Sequence, residues 1–272
     1  MITKIRWIGV LAALALVPWA CAPAPRAPRP AETFDGTLLH VMSSAGFGVA
    51  YRELVPGFSR ASHAQVQAAY GPSIGVAPDA IPVRIRRGEP VDVVIMASPG
   101  LDALIARGDA IADSRVDLAR SRVGAAVRAG ARRPSIRTPA ALRQALLDAR
   151  SIAYSDSVSG IYVSTQLFAR LGIADQVRDK SMEIPSEPVG NAIARGQAEI
   201  GFQQISELLP VPGIEFLGPI PEELQLITTF SAAVATSARH PEAARALLRY
   251  LSSPDAFPAI TRSGLQPAAR RE

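Results

Sequence analysis

Serine hydroxyls beside glycine recur in this chain where apolar runs give way to helical stretches, and these are the residues best suited to chemistry. The first cluster, Ser43-Ser44-Ala45-Gly46, follows the run Leu38 to Met42 and precedes the helical stretch Val49 to Leu54. A helix start offers backbone N–H groups without intrahelical partners and a partial positive charge, so anions bind there; a serine adds a neutral O–H donor. Plain N-capping is the alternative for either serine. The second cluster is Gly71-Pro72-Ser73-Ile74-Gly75, a tight turn after Ala64 to Tyr70. A third, Ser155-Asp156-Ser157-Val158-Ser159-Gly160, stands ahead of Ile161 to Leu171. Ser159 and Gly160 are expected to cap that helix, the glycine letting a ligand approach the backbone closely. Ser186 is expected to cap the stretch Glu187 to Arg195, and Gln203 and Gln204 present two amides at the end of the strand Glu199 to Phe202. Five donor clusters at equivalent places point to a binding site for a small anion.

Other chemistries fit less well. Gly71, Ser73 and Gly75 match the G-x-S-x-G elbow of serine hydrolases, so a hydrolase using Ser73 is the remote alternative. An elbow needs a helix directly after the serine, yet Val76, Ala77 and Pro78 intervene before Asp79 can start one. Its histidine would have to be His240, which reads as the start of an ordinary helix. His40, His63 and His240 are isolated and no carboxylates show a ligand spacing, so no metal and no other cofactor is expected. The expectation is a protein that binds without catalysing, with no catalytic residue.

The N-terminus reads as an export signal. Lys4 and Arg6 precede the apolar run Trp7 to Ala20, too short to remain as a membrane span. Cys21 after Ala20, followed by the Pro-rich stretch Ala22 to Pro30, looks like a lipoprotein processing site with a stiff tether; a free periplasmic protein is the alternative. The location expected is the periplasm or the outer face of a membrane, with the membrane contacted only through a lipid on Cys21. Losing Lys4 and Arg6 lowers the formal charge of +5 by two, the remaining arginines are scattered, and both tryptophans, Trp7 and Trp19, lie in the leader. Nucleic acid is therefore not an expected partner. Cys21 is the single cysteine, so the fold rests on its core, which 48% hydrophobic residues can supply.

These sites must be held by alternating strands and helices, an α/β class built on mostly parallel sheets. Strands are expected at Leu38 to Met42, Ala64 to Tyr70, Val91 to Met96, Val123 to Val127, Ser151 to Tyr154, Glu199 to Phe202, Glu215 to Leu217 and Leu226 to Ala232. Helices open at Ser98-Pro99, Thr138-Pro139 and His240-Pro241, with proline at the first helical position, where its missing N–H costs nothing. So many strands suit two lobes joined by crossing strands near Leu118 to Val123 and Leu224 to Phe230. The organisation expected is a signal peptide over residues 1–20, a tether over 21–36, lobe I over 37–118, lobe II over 119–225 and a return to lobe I over 226–272. Ligand would sit in the cleft between lobes, at strand C-termini.

From Thr37 to Pro267 the chain resembles the molybdate-binding proteins of ABC transporters, a branch of the type II periplasmic solute-binding proteins. The stretches that carry this are Arg86 to Ala97, with Gly88-Glu89-Pro90-Val91-Asp92-Val93, and Ala194 to Phe202. The resemblance implies a two-lobed binding protein that hands its ligand to a membrane permease, works as a monomer and surrounds a tetrahedral oxyanion with neutral donors. Carried over by position, Ser44 or Ser43 and Ser73 give hydroxyls, and Ser159 and Ser186 give backbone N–H groups. Gln204 stands where the family has tyrosine, and Ser155 to Ser159 is shorter than the usual loop. A molybdate-like or tungstate-like oxyanion is the leading expectation, and an organic carboxylate in the same fold is the alternative.

Overall fold

Proline placement decides several helix starts in the computed structural model, which describes residues 32–268; the expected leader, most of the tether and Cys21 with its lipid lie outside the described residues. Helices begin at Ser98, Pro139 and Pro241, each with proline in the first turn, and Thr138 Oγ1 accepts from Ala141 N at 3.2 Å as a true cap.

The strands are β1 (Leu38–Ser43), β2 (Gln65–Tyr70), β3 (Val93–Ala97), β4 (Val116–Ser121), β5 (Val123–Arg128), β6 (Ile152–Ser155), β7 (Ser181–Ile184), β8 (Ile200–Gln204), β9 (Ile214–Pro219), β10 (Thr228–Val234) and β11 (Gln266–Pro267). The α-helices are α1 (Ala45–Ser62), α2 (Ile81–Arg86), α3 (Ser98–Ala106), α4 (Pro139–Asp148), α5 (Val158–Tyr162), α6 (Phe168–Arg170), α7 (Ala174–Val177), α8 (Val189–Ala194), α9 (Ile205–Leu208), α10 (Pro241–Leu251) and α11 (Phe257–Arg262). Between α5 and α6 the chain makes a π-helical turn, Val163–Leu167.

Two sheets result. The first has the order β11-β4-β10-β3-β1-β2 and the second β7-β6-β8-β5-β9. In the first, β1 lies parallel to β2 and β3 while β10 runs antiparallel to β3 and β4; in the second, β6 is parallel to β7 and β8 while β5 is antiparallel to its neighbours. All five residues of β3 are buried, because both faces are covered: Val93 and Ile95 join one core cluster and Val94 and Met96 another. The second sheet repeats this, with Ala125 and Ile152 on one face and Ala126 and Ala153 on the other.

The chain passes from the first sheet to the second at Arg122, between β4 and β5, and returns between Pro219 and Thr228. β7 and β11 are strands not expected from the sequence, and β4 is expected only as a crossing strand near Leu118 to Val123. β4 carries Asp117 and Arg120 among its six residues, and β7 and β11 are short edge strands, so hydrophobic period alone does not mark them. Two helix starts also differ from expectation. α5 begins at Val158 with Ser157 as the residue before it, placing Ser159 and Gly160 inside the helix. α8 begins at Val189 after Pro188, because Ser186 takes the left-handed conformation at φ 57° and Pro188 is the residue that leads into the helix.

Candidate functional site

Loops and helix starts from both sheets meet around a cavity of about 230 Å³. The first sheet contributes Ser44 at the start of α1, Tyr70 at the end of β2, Ser73 and Asp79 from the loop before α2, and Thr228 and Phe230 of β10. From the second come Ser155, Asp156 and Ser157 after β6, Ser186 and Glu187 before α8, and Gln203, Gln204 and Glu207 at the junction of β8 and α9. Parallel strands put these loops together, since β1, β2 and β3 end at one edge of their sheet and β6, β7 and β8 at one edge of theirs.

The predicted residues divide. Ser44, Ser73, Ser186, Gln203 and Gln204 line the cavity; Ser43, Ser159 and Gly160 do not. Ser43 is fully buried and donates to Ser44 O at 3.1 Å. Ser159 is also buried, and its hydroxyl lies 3.3 Å from that of Ser155, which in turn is 2.9 Å from that of Ser157. Gly160 packs on the turn itself: a Cβ there would lie 1.6 Å from Ser155 O. Its smallness thus serves the protein backbone at this point.

Ser44 precedes α1 but its side chain makes no capping bond. Ser73 Oγ accepts from Ala97 N at 2.9 Å, which fixes the oxygen and leaves the O–H free of protein acceptors among the described residues. Ser186 joins the two sides, its Oγ donating to Asp79 Oδ1 at 3.4 Å and its N–H to Asp156 Oδ2 at 3.3 Å. Gln203 Oε1 accepts from Val189 N at 2.8 Å, and its Nε2 donates to Glu207 Oε1 at 3.0 Å. Gln204 Nε2 donates to Thr228 Oγ1 at 2.9 Å, while its Oε1 is buried without a partner among the described residues.

The electrostatics differ from those of an ordinary anion site. Among the described residues, four carboxylates, Asp79, Asp156, Glu187 and Glu207, line the cavity and no lysine, arginine or histidine does. Arg84, near Ser73 in sequence, is engaged by Glu89 at 2.7 Å. Glu187 is held below the usual carboxylate range by the guanidinium of Arg195, 2.6 Å away. Glu207 goes the other way. Burial pushes its carboxyl up to about 7, the negative charge of Asp156 adds to this, and the bond from Gln203 opposes it. The residue keeps some accessible surface because it faces the cavity, yet its carboxyl is densely surrounded by protein. Sequence reasoning missed Glu207, whose one signal is its position four residues after Gln203 in a stretch otherwise free of charge. Together the site offers hydroxyl and amide donors for the oxygens of a ligand and one carboxyl able to take or give a proton near neutrality.

Residues 39–266 match the family described as bacterial extracellular solute-binding protein. A protein of Pseudomonas sp named aconitate isomerase is 48% identical over 231 residues, covering 85% of this chain and 88% of its own. Among solved structures, the periplasmic molybdate-binding protein of Azotobacter vinelandii superposes with a TM-score of 0.69 at 20% identity, over 86% of this chain and 100% of its own. AgtB of A. tumefaciens R10, a periplasmic binding protein in complex with agropinic acid, gives 0.61 at 16% identity, over 86% of this chain and 84% of its own. These likenesses show the two-lobed fold expected from the sequence. The expectation of a protein that is not an enzyme is overturned, because a relative 48% identical carries the name of an isomerase. Reading the serine clusters as donors alone left out the carboxyl of Glu207, which lies in the same cavity wall. By its sequence and its fold, the chain belongs to the bacterial extracellular solute-binding proteins.

Proposed function

We propose that this protein binds a small unsaturated polycarboxylate of the aconitate class in the cleft between its sheets and interconverts its geometric isomers. The observation that carries this reading is the 48% identity to an aconitate isomerase across 85% of the chain, a span that includes residues of both sheets. The same relative favours a polycarboxylate over the molybdate first expected. Hydroxyls such as those of Ser44 and Ser73 can donate to the oxygens of such a polycarboxylate. Export to the periplasm, with or without a lipid on Cys21, fits membership of an extracellular family, and a membrane permease remains a partner that the family supports.

The test is proton NMR of trans-aconitate and cis-aconitate incubated with the purified chain, alongside melting curves with aconitate, molybdate, tungstate and sulfate. Isomer interconversion to equilibrium and a selective rise in melting temperature with aconitate are expected. Absence of interconversion together with a shift for molybdate alone would retire the reading in favour of oxyanion capture.

A further inference from the structure

Resting on the isomerase reading above, we propose that Glu207 is the catalytic acid–base group that carries the migrating proton and that Gln203 is its positioning residue. Glu207 lies in the cavity wall with Oε1 held by Gln203 Nε2 at 3.0 Å, and Oε2 has no hydrogen-bond partner among the described residues. Gln203 cannot turn away, because Val189 N occupies its Oε1 at 2.8 Å and the side chain is buried. The backbone beneath Glu207 is fixed as well: the neighbouring Ser206 Oγ donates to Gly46 O at 2.7 Å and ties α9 to α1 of the first sheet.

The other cavity carboxylates are already engaged. Glu187 is paired with Arg195, and Asp79 and Asp156 both accept from Ser186. Among the described residues, the elements packed on α9 bring no cation to Glu207: β8 is Ile-Gly-Phe-Gln-Gln, α8 is Val-Gly-Asn-Ala-Ile-Ala, β5 carries its one charge at its far end in Arg128, the first six residues of α1 are uncharged, and Arg122, whose carbonyl accepts from Ile205 N, is paired with Glu222. The charged group that acts on it is Asp156. A carboxyl left with a raised affinity for protons, up to about 7, suits a group that must both take and return one.

The step balances without an oxidant or reductant. In aconitate the methylene carbon stands between a carboxylate and the alkene, so its C–H bond is allylic. Ionised Glu207 takes that proton, and the C–H electron pair spreads over the three-carbon unit and its carboxylates. The protonated Glu207 then returns the proton to the far alkene carbon, the double bond now joins the former methylene carbon to the centre, and Glu207 is ionised again. The geometry of the new double bond follows the conformation about the old single bond, so no double bond is twisted.

The experiment compares the full chain with its E207Q, E207D and Q203M variants, reading aconitate interconversion by NMR across pH and aconitate binding by melting temperature. Wild type is expected to gain kcat/KM as pH rises through about 7, the ionised form being the base. E207Q is expected to lose roughly 10²- to 10⁴-fold in turnover while aconitate still raises its melting temperature. Q203M, which lacks the bond that lowers the carboxyl, is expected to move the pH limb upward, an effect that a packing role alone does not produce. An active wild type with E207Q within about ten-fold of it would overturn the inference and leave the isomerase reading standing, since general acid–base catalysis is worth more than that. An inactive wild type would overturn both. If E207Q melts far below wild type, a folded E207D with unchanged rate and pH profile overturns the assignment, and a slowed E207D with a displaced limb supports it.

Discussion

The side-chain amide of Gln225 holds both backbone groups of Val123, accepting from its N–H through Oε1 at 3.0 Å and donating to its carbonyl through Nε2 at 2.8 Å. Val123 opens β5 just after the chain leaves the first sheet, and Gln225 lies on the returning segment, so one side chain laces the two crossings together. The same Nε2 also donates to Ile220 O at 3.1 Å. Gln225→Leu fills similar space but leaves the N–H of Val123 without this partner at a half-buried site, while Val123 O keeps the bond from Ile220 N at 3.2 Å. A loss of about 2 kcal/mol is expected, with faster amide exchange at Val123, measured by denaturant unfolding and hydrogen exchange. Unchanged exchange at Val123 would show that the lacing does not hold the crossings.

Glu207 gives a stability signature separate from catalysis. Its carboxyl titrates at about 7 in the folded protein against the ordinary 4.5, so the folded state binds the proton more tightly. That contribution is present in full below about 4.5 and is lost as pH rises through about 7, at most about 3 kcal/mol in all. E207Q cannot ionise. Its melting temperature relative to wild type is therefore expected to rise between pH 5 and pH 8, on the order of several degrees, and a flat difference across that range would contradict the titration.

Ser73 has a structural duty that any binding assay must be read against. Its Oγ accepts from Ala97 N, a buried donor at the end of β3. Ser73→Ala leaves that N–H without its partner, at a cost of about 1–3 kcal/mol, whether or not the hydroxyl touches ligand. The ligand contribution is isolated by comparing the aconitate-induced rise in melting temperature, which is expected to shrink in the variant, with the ligand-free difference, which measures the lost bond alone.

Much of this arrangement is legible in the chain because it rests on local rules. Proline at helix starts and apolar runs located α3, α4, α10 and most strands. Ser44, Ser73, Ser186, Gln203 and Gln204, read as donors at element ends, line one cavity because parallel strands deliver their ends to one place. What escaped depends on distant partners. The motif around Asp92 looks like a strand signature, yet the buried carboxylate binds the backbone N–H groups of His40, Arg239 and His240, joining β1 to the segment before α10. Glu207 reads as an ordinary acid on a one-turn helix until Gln203 and Asp156 are seen beside it. Ser186 reads as a cap until its left-handed backbone and its bond to Asp79 place it across the cleft.

Gly160 gives the last prediction, because its two readings have opposite consequences. If its smallness served to admit a ligand, Gly160→Ala would spare the fold and weaken binding. The geometry favours the other outcome: an added Cβ would lie 1.6 Å from Ser155 O, 2.5 Å from Ser155 C and 2.8 Å from Ser155 N. All three are backbone atoms of the last residue of β6, so no side-chain rotation relieves the clash, and α5 must move off the strand. That movement also separates the hydroxyls of Ser155, Ser157 and Ser159. A destabilisation of at least about 3 kcal/mol is expected, above the usual range for a mildly overpacked core. In a protein of this size it lowers the melting temperature by roughly 6–12 °C. A Gly160→Ala protein that melts with wild type but no longer responds to aconitate would instead place this glycine against the ligand.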